Sequence, residues 1–131
     1  MVKWSLSTAD AVNGRILLAD GKAIFTSYNG KAYALNADTG AMIWIYDAGE
    51  KIALEAALAD PTTVAVVTSN GTLALLDLSD GIVKLETRLN RSPVAMAAGG
   101  GRIFLGFEGN VSAVDLEGNV ANSPNNAESG S

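Results

Sequence analysis

Three side chains that could bind a cation recur at one position of the chain. Asn36, Asp77 and Asp115 each end a short apolar segment, directly before a glycine-containing turn. As ligands they would supply carboxylate and amide oxygens, which suit calcium. Short Asx side chains also bond the backbone N–H groups of the turn that follows them. Because the position repeats, we interpret the three residues as turn caps and predict no metal site.

Two of these turns, at 36–40 and 77–81, faintly resemble a calcium-binding loop. Neither has the alternating acidic spacing or the final bidentate glutamate that such a loop needs. The glycines at 99–101 resemble a phosphate-binding loop, but no helical segment and no Lys-Ser/Thr pair follows them. We therefore expect neither a calcium site nor a phosphate site.

The amino-acid composition of the chain excludes several kinds of catalytic and metal site. Its 131 residues include no cysteine and no histidine. Disulfides, zinc–thiolate sites, thiol catalysis and the commonest general base are therefore excluded. The net charge is −5, without any run of Lys or Arg, which is a poor match for a nucleic-acid backbone. The sequence predicts no catalytic residue and no nucleic-acid partner.

Membrane and export signals are also missing from the sequence pattern. No apolar stretch approaches the roughly 18 residues of a membrane helix. The first residues, Met1 to Ser5, lack the basic, apolar and small-residue regions of a signal peptide. We expect no membrane span and no export signal in this chain.

A self-similar unit of about 40 residues organises the chain. Three segments align on the turn glycines Gly30, Gly71 and Gly109. The pairs Asn29-Gly30 and Asn70-Gly71 are typical of a two-residue hairpin turn in which both residues have positive φ. Runs rich in Val, Ile, Phe and Tyr flank these turns and have strand-like composition. Each unit therefore predicts a hairpin followed by a further strand.

Many of the predicted strands are apolar on both faces, as in Leu73–Leu76. That pattern is expected when neighbouring sheets cover one another front and back. Ala53–Ala59 could form a helix, but its place in the repeat indicates a strand. The sequence predicts an all-β chain of four-stranded antiparallel blades over residues 12–51, 52–92 and 93–120, followed by a disordered polar tail at 121–131.

Trp4, Trp44 and Leu85 occupy one repeat position on the last strand of a blade. We interpret the two tryptophans as residues that pack between blades rather than as a binding surface. In the third copy the segment Asn119–Asn122 fades into a polar segment, so we expect its last strand to be missing or weak. Residues 2–7 have the pattern of a spare last strand, which would supply what the third blade lacks.

Residues 30–44, Gly-Lys-Ala-Tyr-Ala-Leu-Asn-Ala-Asp-Thr-Gly-Ala-Met-Ile-Trp, closely resemble the pyrroloquinoline-quinone-type propeller repeat. The looser copies in register extend the resemblance over about 2–120. It implies a β-propeller, usually of six to eight blades, and a location outside the cytoplasm. Members of the family include quinone-dependent dehydrogenases and non-enzymatic scaffolds of outer-membrane protein assembly.

For a dehydrogenase, the resemblance implies a quinone in the central channel of the propeller. A calcium ion with Glu, Asn and Asp ligands would hold that quinone. A stacking tryptophan and commonly a vicinal disulfide complete that site. Here cysteine is absent, both tryptophans lie on repeat strands, and the acidic residues form no cluster outside the repeat turns. The dehydrogenase site cannot be transferred to these residues, so we expect no cofactor and no enzymatic activity.

Three blades are too few for a closed propeller, which typically has four to eight. Either the chain is part of a longer propeller, or copies assemble into a homo-oligomer; the spare amino-terminal strand favours assembly. The leading expectation is a non-catalytic scaffold that binds a protein or peptide partner. The alternatives are a fragment of a quinone-dependent dehydrogenase and a purely structural repeat segment that self-assembles.

Overall fold

The computed structural model describes residues 4–8 and 11–122, and all regular structure in these residues is β. Twelve strands in the described part form three four-stranded antiparallel sheets, each with its strands in chain order. The prediction of three four-stranded blades is confirmed. Blade 1 contains β1 (Leu17–Ala19), β2 (Lys22–Thr26), β3 (Lys31–Asn36) and β4 (Met42–Asp47); blade 2 contains β5 (Ala57–Asp60), β6 (Thr63–Val67), β7 (Thr72–Asp77) and β8 (Val83–Arg88); blade 3 contains β9 (Ala95–Gly99), β10 (Arg102–Phe107), β11 (Asn110–Asp115) and β12 (Val120–Asn122).

The central hairpins of blades 1 and 2 differ from the predicted two-residue turn. Ser27 donates its N–H to the carbonyl of Lys31 at 3.0 Å, so the loop between them has three residues. Within that loop only Gly30 has a positive φ, +87°, and blade 2 repeats this at Gly71 with +92°. A turn followed by a left-handed glycine is the standard three-residue hairpin. The prediction of positive φ at Asn29 is therefore wrong.

Blade 3 corrects a second expectation, because its last strand is present. β12 pairs with β11, with Val120 opposite Val114 and Ala121 opposite Ala113. The pairing depends on backbone hydrogen bonds, which a short polar sequence can also make. Ala121 and Asn122 therefore belong to a strand and not to the predicted tail. The rest of that tail, 123–131, lies outside the described residues.

The expected spare strand at 2–7 does not form in the residues that are described there. Residues 4–8 belong to no strand, and residues 2 and 3 lie outside the described part. The physical reason is that β12 already completes blade 3, so the expected pairing position is filled. Ala53–Ala59 is likewise only partly a strand: β5 begins at Ala57, and no helix forms before it.

The core consists of layers between the blades. Each blade has a front face, directed toward the next blade in the chain, and a rear face, directed toward the previous one. The front of blade 1 packs on the rear of blade 2, for example Ile24 near Val64. The front of blade 2 packs on the rear of blade 3, as for Leu75 and Ile103. This explains why strands such as β6 are buried on both faces.

No helix in the described part of the chain is long and apolar enough to cross a membrane.

Candidate functional site

One contact joins the outer strand of blade 1 to blade 2. Trp44 lies on β4, and its indole Nε1 donates a hydrogen bond to the carbonyl of Leu78 at 2.9 Å. The ring lies against Gly81 in the turn that follows, where a Cβ atom would come within 2.6 Å of the ring Cδ2. Trp44 is buried, and satisfying its N–H is the usual condition for burying an indole. We call Trp44 a docking side chain and Gly81 its docking glycine.

The same contact occurs at blade 1, although no blade precedes it in the described chain. Trp4 donates its Nε1 to the carbonyl of Ala37 at 3.1 Å and lies on Gly40. At blade 3, Leu85 takes this role and lies on Gly118. The structure therefore places Trp4, Trp44 and Leu85 on equivalent turn glycines of blades 1, 2 and 3.

The repeated polar residues each serve their own turn. A side-chain oxygen accepts the backbone N–H of the residue two places further on, at 2.9 Å for Asn36, 2.8 Å for Asp77 and 2.9 Å for Asp115. The Ser79 hydroxyl and N–H hold the pKa of the Asp77 carboxyl below its ordinary value. The Asn119 backbone N–H, first among several donors, does the same for Asp115. Each of the three side chains thus stabilises a turn of its own blade.

Within residues 4–8 and 11–122, no group of three or more acidic side chains is placed so that it could hold a metal ion. The glycines at 99–101 belong to the β9–β10 turn, and no helix follows them.

The first strands of the blades form the inner wall of the arc, and β5 and β9 lie in contact. A cavity of about 350 Å³ opens on this wall, lined largely by alanine, leucine and methionine side chains. Two charged residues, Arg15 and Glu55, also line this cavity, and they are hydrogen-bonded to each other. Glu55 Oε1 accepts the backbone N–H of Arg15 at 2.7 Å. Among the residues of the strands β1, β5 and β9, one is acidic, Asp60 at the end of β5. Its Oδ1 accepts the N–H of Thr62 at 2.9 Å, and this bond lowers the pKa of Asp60.

The family model described as outer membrane protein assembly factor BamB matches residues 2–129. The chain belongs to this family. The comparison with curated proteins gives no match.

Several solved structures share the fold of the chain. BamB from Moraxella catarrhalis is 24% identical, with a TM-score of 0.71, over 90% of this chain and 39% of that one. Quinohemoprotein alcohol dehydrogenase from Comamonas testosteroni is 18% identical, with a TM-score of 0.69, over 85% and 20%. The computationally designed Ika4 protein is 13% identical, with a TM-score of 0.78, over 92% and 76%.

These likenesses confirm the β-propeller fold that the repeat resemblance implied. The BamB-family chain spans well under half the length of the Moraxella BamB and a fifth of the dehydrogenase. At these identities the neighbours establish the fold alone, and enzymes and non-enzymes are both among them.

Sequence reasoning missed one basic cavity of this BamB-family chain, between blades 2 and 3. The Arg91 guanidinium lies 4.5 Å from the centre of the Phe107 ring and donates to the carbonyl of Glu108 at 3.1 Å. Arg88 and Asn110 line the same cavity, whose volume is about 340 Å³. The two arginines are close in the sequence, but their approach to Phe107 depends on how blade 3 packs on blade 2.

Proposed function

We propose that the chain is a non-catalytic β-propeller module that binds a protein partner. The observation that carries the proposal is the chemistry of the inner wall. A quinone and its calcium ion would need several free oxygen ligands there. The wall described above offers the carboxylates of Asp60 and Glu55. Asp60 is bonded to its own turn, and Glu55 accepts the backbone N–H of Arg15. The inner strands instead expose apolar side chains. Leu18 of β1 is 72% exposed and lines one cavity with Leu58 of β5, and exposed apolar patches are typical of protein contacts.

The family supports this proposal, since an outer membrane protein assembly factor acts on other proteins. The partner class is a protein or peptide that brings apolar side chains to the arc, or a second copy of the chain. The rival candidate, a piece of a quinone-dependent dehydrogenase, is favoured by the likeness to quinohemoprotein alcohol dehydrogenase.

Addition of pyrroloquinoline quinone and Ca²⁺ separates the two candidates. For the scaffold we expect no rise in melting temperature and no reduction of a redox dye when an alcohol is supplied. Ligand at 100 times its dissociation constant would stabilise a binding protein by about 2.7 kcal/mol. A clear thermal shift together with dye reduction would overturn the proposal in favour of the enzyme.

Partner binding is tested by placing a photo-crosslinking amino acid at position 18 in cells that naturally produce the protein. The matched control is position 82, where Ile82 is also exposed, at 64%, but lies directly before β8, the outer strand of blade 2. We expect an adduct at position 18 whose mass exceeds that of two chains, and no such adduct at position 82. Equal labelling at both positions, or none at position 18, would contradict binding at the inner wall.

A further inference from the structure

The front face of blade 3 repeats a surface that is buried twice within the chain. Ile24 in blade 1 and Ala65 in blade 2 occupy the same position of the second strand, and both are fully buried by the next blade. The equivalent residue of blade 3 is Phe104, which is 45% exposed. Its neighbour Val111 is 60% exposed. Among the described residues, blade 3 therefore presents a blade-packing surface that no other blade covers.

Small residues surround Phe104 and make this front face flat. Ala97 on β9 and Ala113 on β11 pair directly with Phe104. Gly106 lies opposite Val111. A contiguous apolar sheet face of this kind is typical of a contact surface.

The rear face of blade 1 is also unusually apolar at its outer strand. Since side chains alternate along a strand, Ile43 and Ile45 lie on the face opposite the buried Trp44, and they are 39% and 49% exposed. In blade 2 the equivalent positions are Lys84 and Glu86. Charged side chains normally keep outer strands from associating. Blade 1 has isoleucine at these two positions, and its charged residue on this face of β4, Asp47, lies at the end of the strand. The isoleucine pair favours a covered rather than a solvated rear face.

The docking side chains show which partner fits both faces. β12 carries Ala121 at the position of Trp44 and Leu85, so blade 3 has no large side chain to dock on a following blade. Trp4 has a docking glycine, Gly40, but belongs to no blade in the described residues. A following blade that carries its own docking tryptophan would cover blade 3 without needing a docking side chain from β12. It would also place that tryptophan between two blades. Blade 1 of a second copy, with its Trp4, is such a blade.

We propose that two copies of the chain close head to tail into a six-bladed ring. The front face of blade 3 in each copy covers the rear face of blade 1 in the other, and Trp4 lies at each of the two junctions. Six blades are within the range of closed propellers, and twofold closure covers both exposed faces at once. This inference rests on the proposed non-catalytic binding role and adds a second contact, between copies of the chain, at faces other than the inner wall.

The test is the mass of the full chain at micromolar concentration, by size-exclusion chromatography with light scattering. We expect twice the chain mass of 13.4 kDa. Phe104→Lys places an unpaired charge at both junctions and should raise the dimer dissociation constant by at least about a hundredfold. Ile82→Lys is the matched control on an exposed apolar residue away from both faces, and it should remain dimeric. Because Phe104 is exposed in one copy, circular dichroism should show that its variant is folded.

A mixing experiment tests the head-to-tail arrangement itself. Phe104→Lys and Ile45→Glu should each give monomers. An equimolar mixture should give dimers, since both substitutions then fall at one junction, where their charges are opposite, and the other junction is unaltered. A monomeric wild-type chain would overturn the inference, as would a Phe104→Lys variant that dimerises as well as the control, or a mixture that stays monomeric. None of these results depends on the quinone assay, so the inference and the proposed function can fail separately.

Discussion

The indole of Trp44 lies so close to Gly81 that any side chain there would collide with it. A Cβ atom would be 2.6 Å from the ring Cδ2, and Gly81 also has a φ of +76°. Trp4 makes the same contact with Gly40, where the corresponding distance is 2.5 Å. Glycine is thus required twice at this position, by the backbone conformation and by the approach of the ring.

These two requirements can be separated by mutation. Gly49 has a similar φ, +73°, but nothing lies within 4 Å of its missing Cβ. We expect Gly49→Ala to lower the free energy of unfolding by about 1–2 kcal/mol, from backbone strain alone. Gly81→Ala should cost about 1–3 kcal/mol more, since Trp44 must move. Urea denaturation measures both losses, and equal losses would show that the contact with the ring does not matter.

Trp44 is expected to be among the most important side chains for stability. Trp44→Ala should lower the free energy of unfolding by about 3–5 kcal/mol, because it opens a cavity between blades 1 and 2. Trp44→Phe keeps most of the apolar contact but leaves the Leu78 carbonyl without its donor, so we expect a loss of about 1–3 kcal/mol. Chemical denaturation with Ile82→Ala as the exposed control checks the order. A phenylalanine variant as unstable as the alanine variant would contradict it.

Acid should weaken the fold through the turn carboxylates. The pKa values of Asp60, Asp77 and Asp115 are lowered by donors in their own turns. A folded pKa below the unfolded value of about 3.9 gives stability that is complete above that pH and is lost as the pH falls through the folded pKa. We expect a melting temperature that is constant near neutrality and declines below about pH 4.

Blade 1 suggests the matched variant for that pH dependence, since Asn36 caps its turn without a titrating group. Asp77→Asn should retain the bond to the Ser79 N–H and show a smaller decline in acid than the wild-type chain. Asp77→Ala should lower the melting temperature at neutral pH as well. If the Asn variant declined as steeply as the wild type, the Asp77 carboxylate would not be a source of the acid sensitivity.

The hydroxyl of Tyr46 should titrate late. Its pKa is raised by burial, then by the negative charges of Glu86 and Asp47. Because the folded pKa exceeds the unfolded one, the associated stability is complete below about pH 10 and is lost as the pH rises through the folded value. We expect Glu86→Gln to lower the pKa of Tyr46. Phenolate absorbance measures it, with Tyr46→Phe identifying the signal; an unchanged titration would mean that Glu86 is too far away to act.

Most of the fold was predictable because the sequence repeats three times, and one strand pattern had to fit all three copies. The hairpin geometry could not be predicted, since an Asn-Gly pair suits two loop lengths. The choice is tied to a neighbouring segment: a Cβ on Gly30 would lie 2.6 Å from the carbonyl oxygen of Glu50, in the connection to blade 2. β12 was missed because its pairing uses backbone atoms, which side-chain composition does not report.

The candidate surfaces were harder to predict than the blades. That Trp4 occupies the same repeat position as Trp44 could be inferred from the spacing between them. The contrast between Ile43 in blade 1 and Lys84 in blade 2 became meaningful only after the register placed both residues on a rear face. The exposure of Phe104 depends on the position of its blade in the arc. The pattern of apolar residues along a strand does not report that position.

The docking bonds span short stretches of chain, 33 residues from Trp4 to Ala37 and 34 from Trp44 to Leu78. Each bond therefore becomes available as soon as the next unit has been synthesised, without waiting for distant sequence. Chains whose contacts are restricted to adjacent units fold quickly and can do so progressively from the amino terminus. A ribosome-bound chain that has exposed only blades 1 and 2 should already protect the amides of β6 and β7 from exchange.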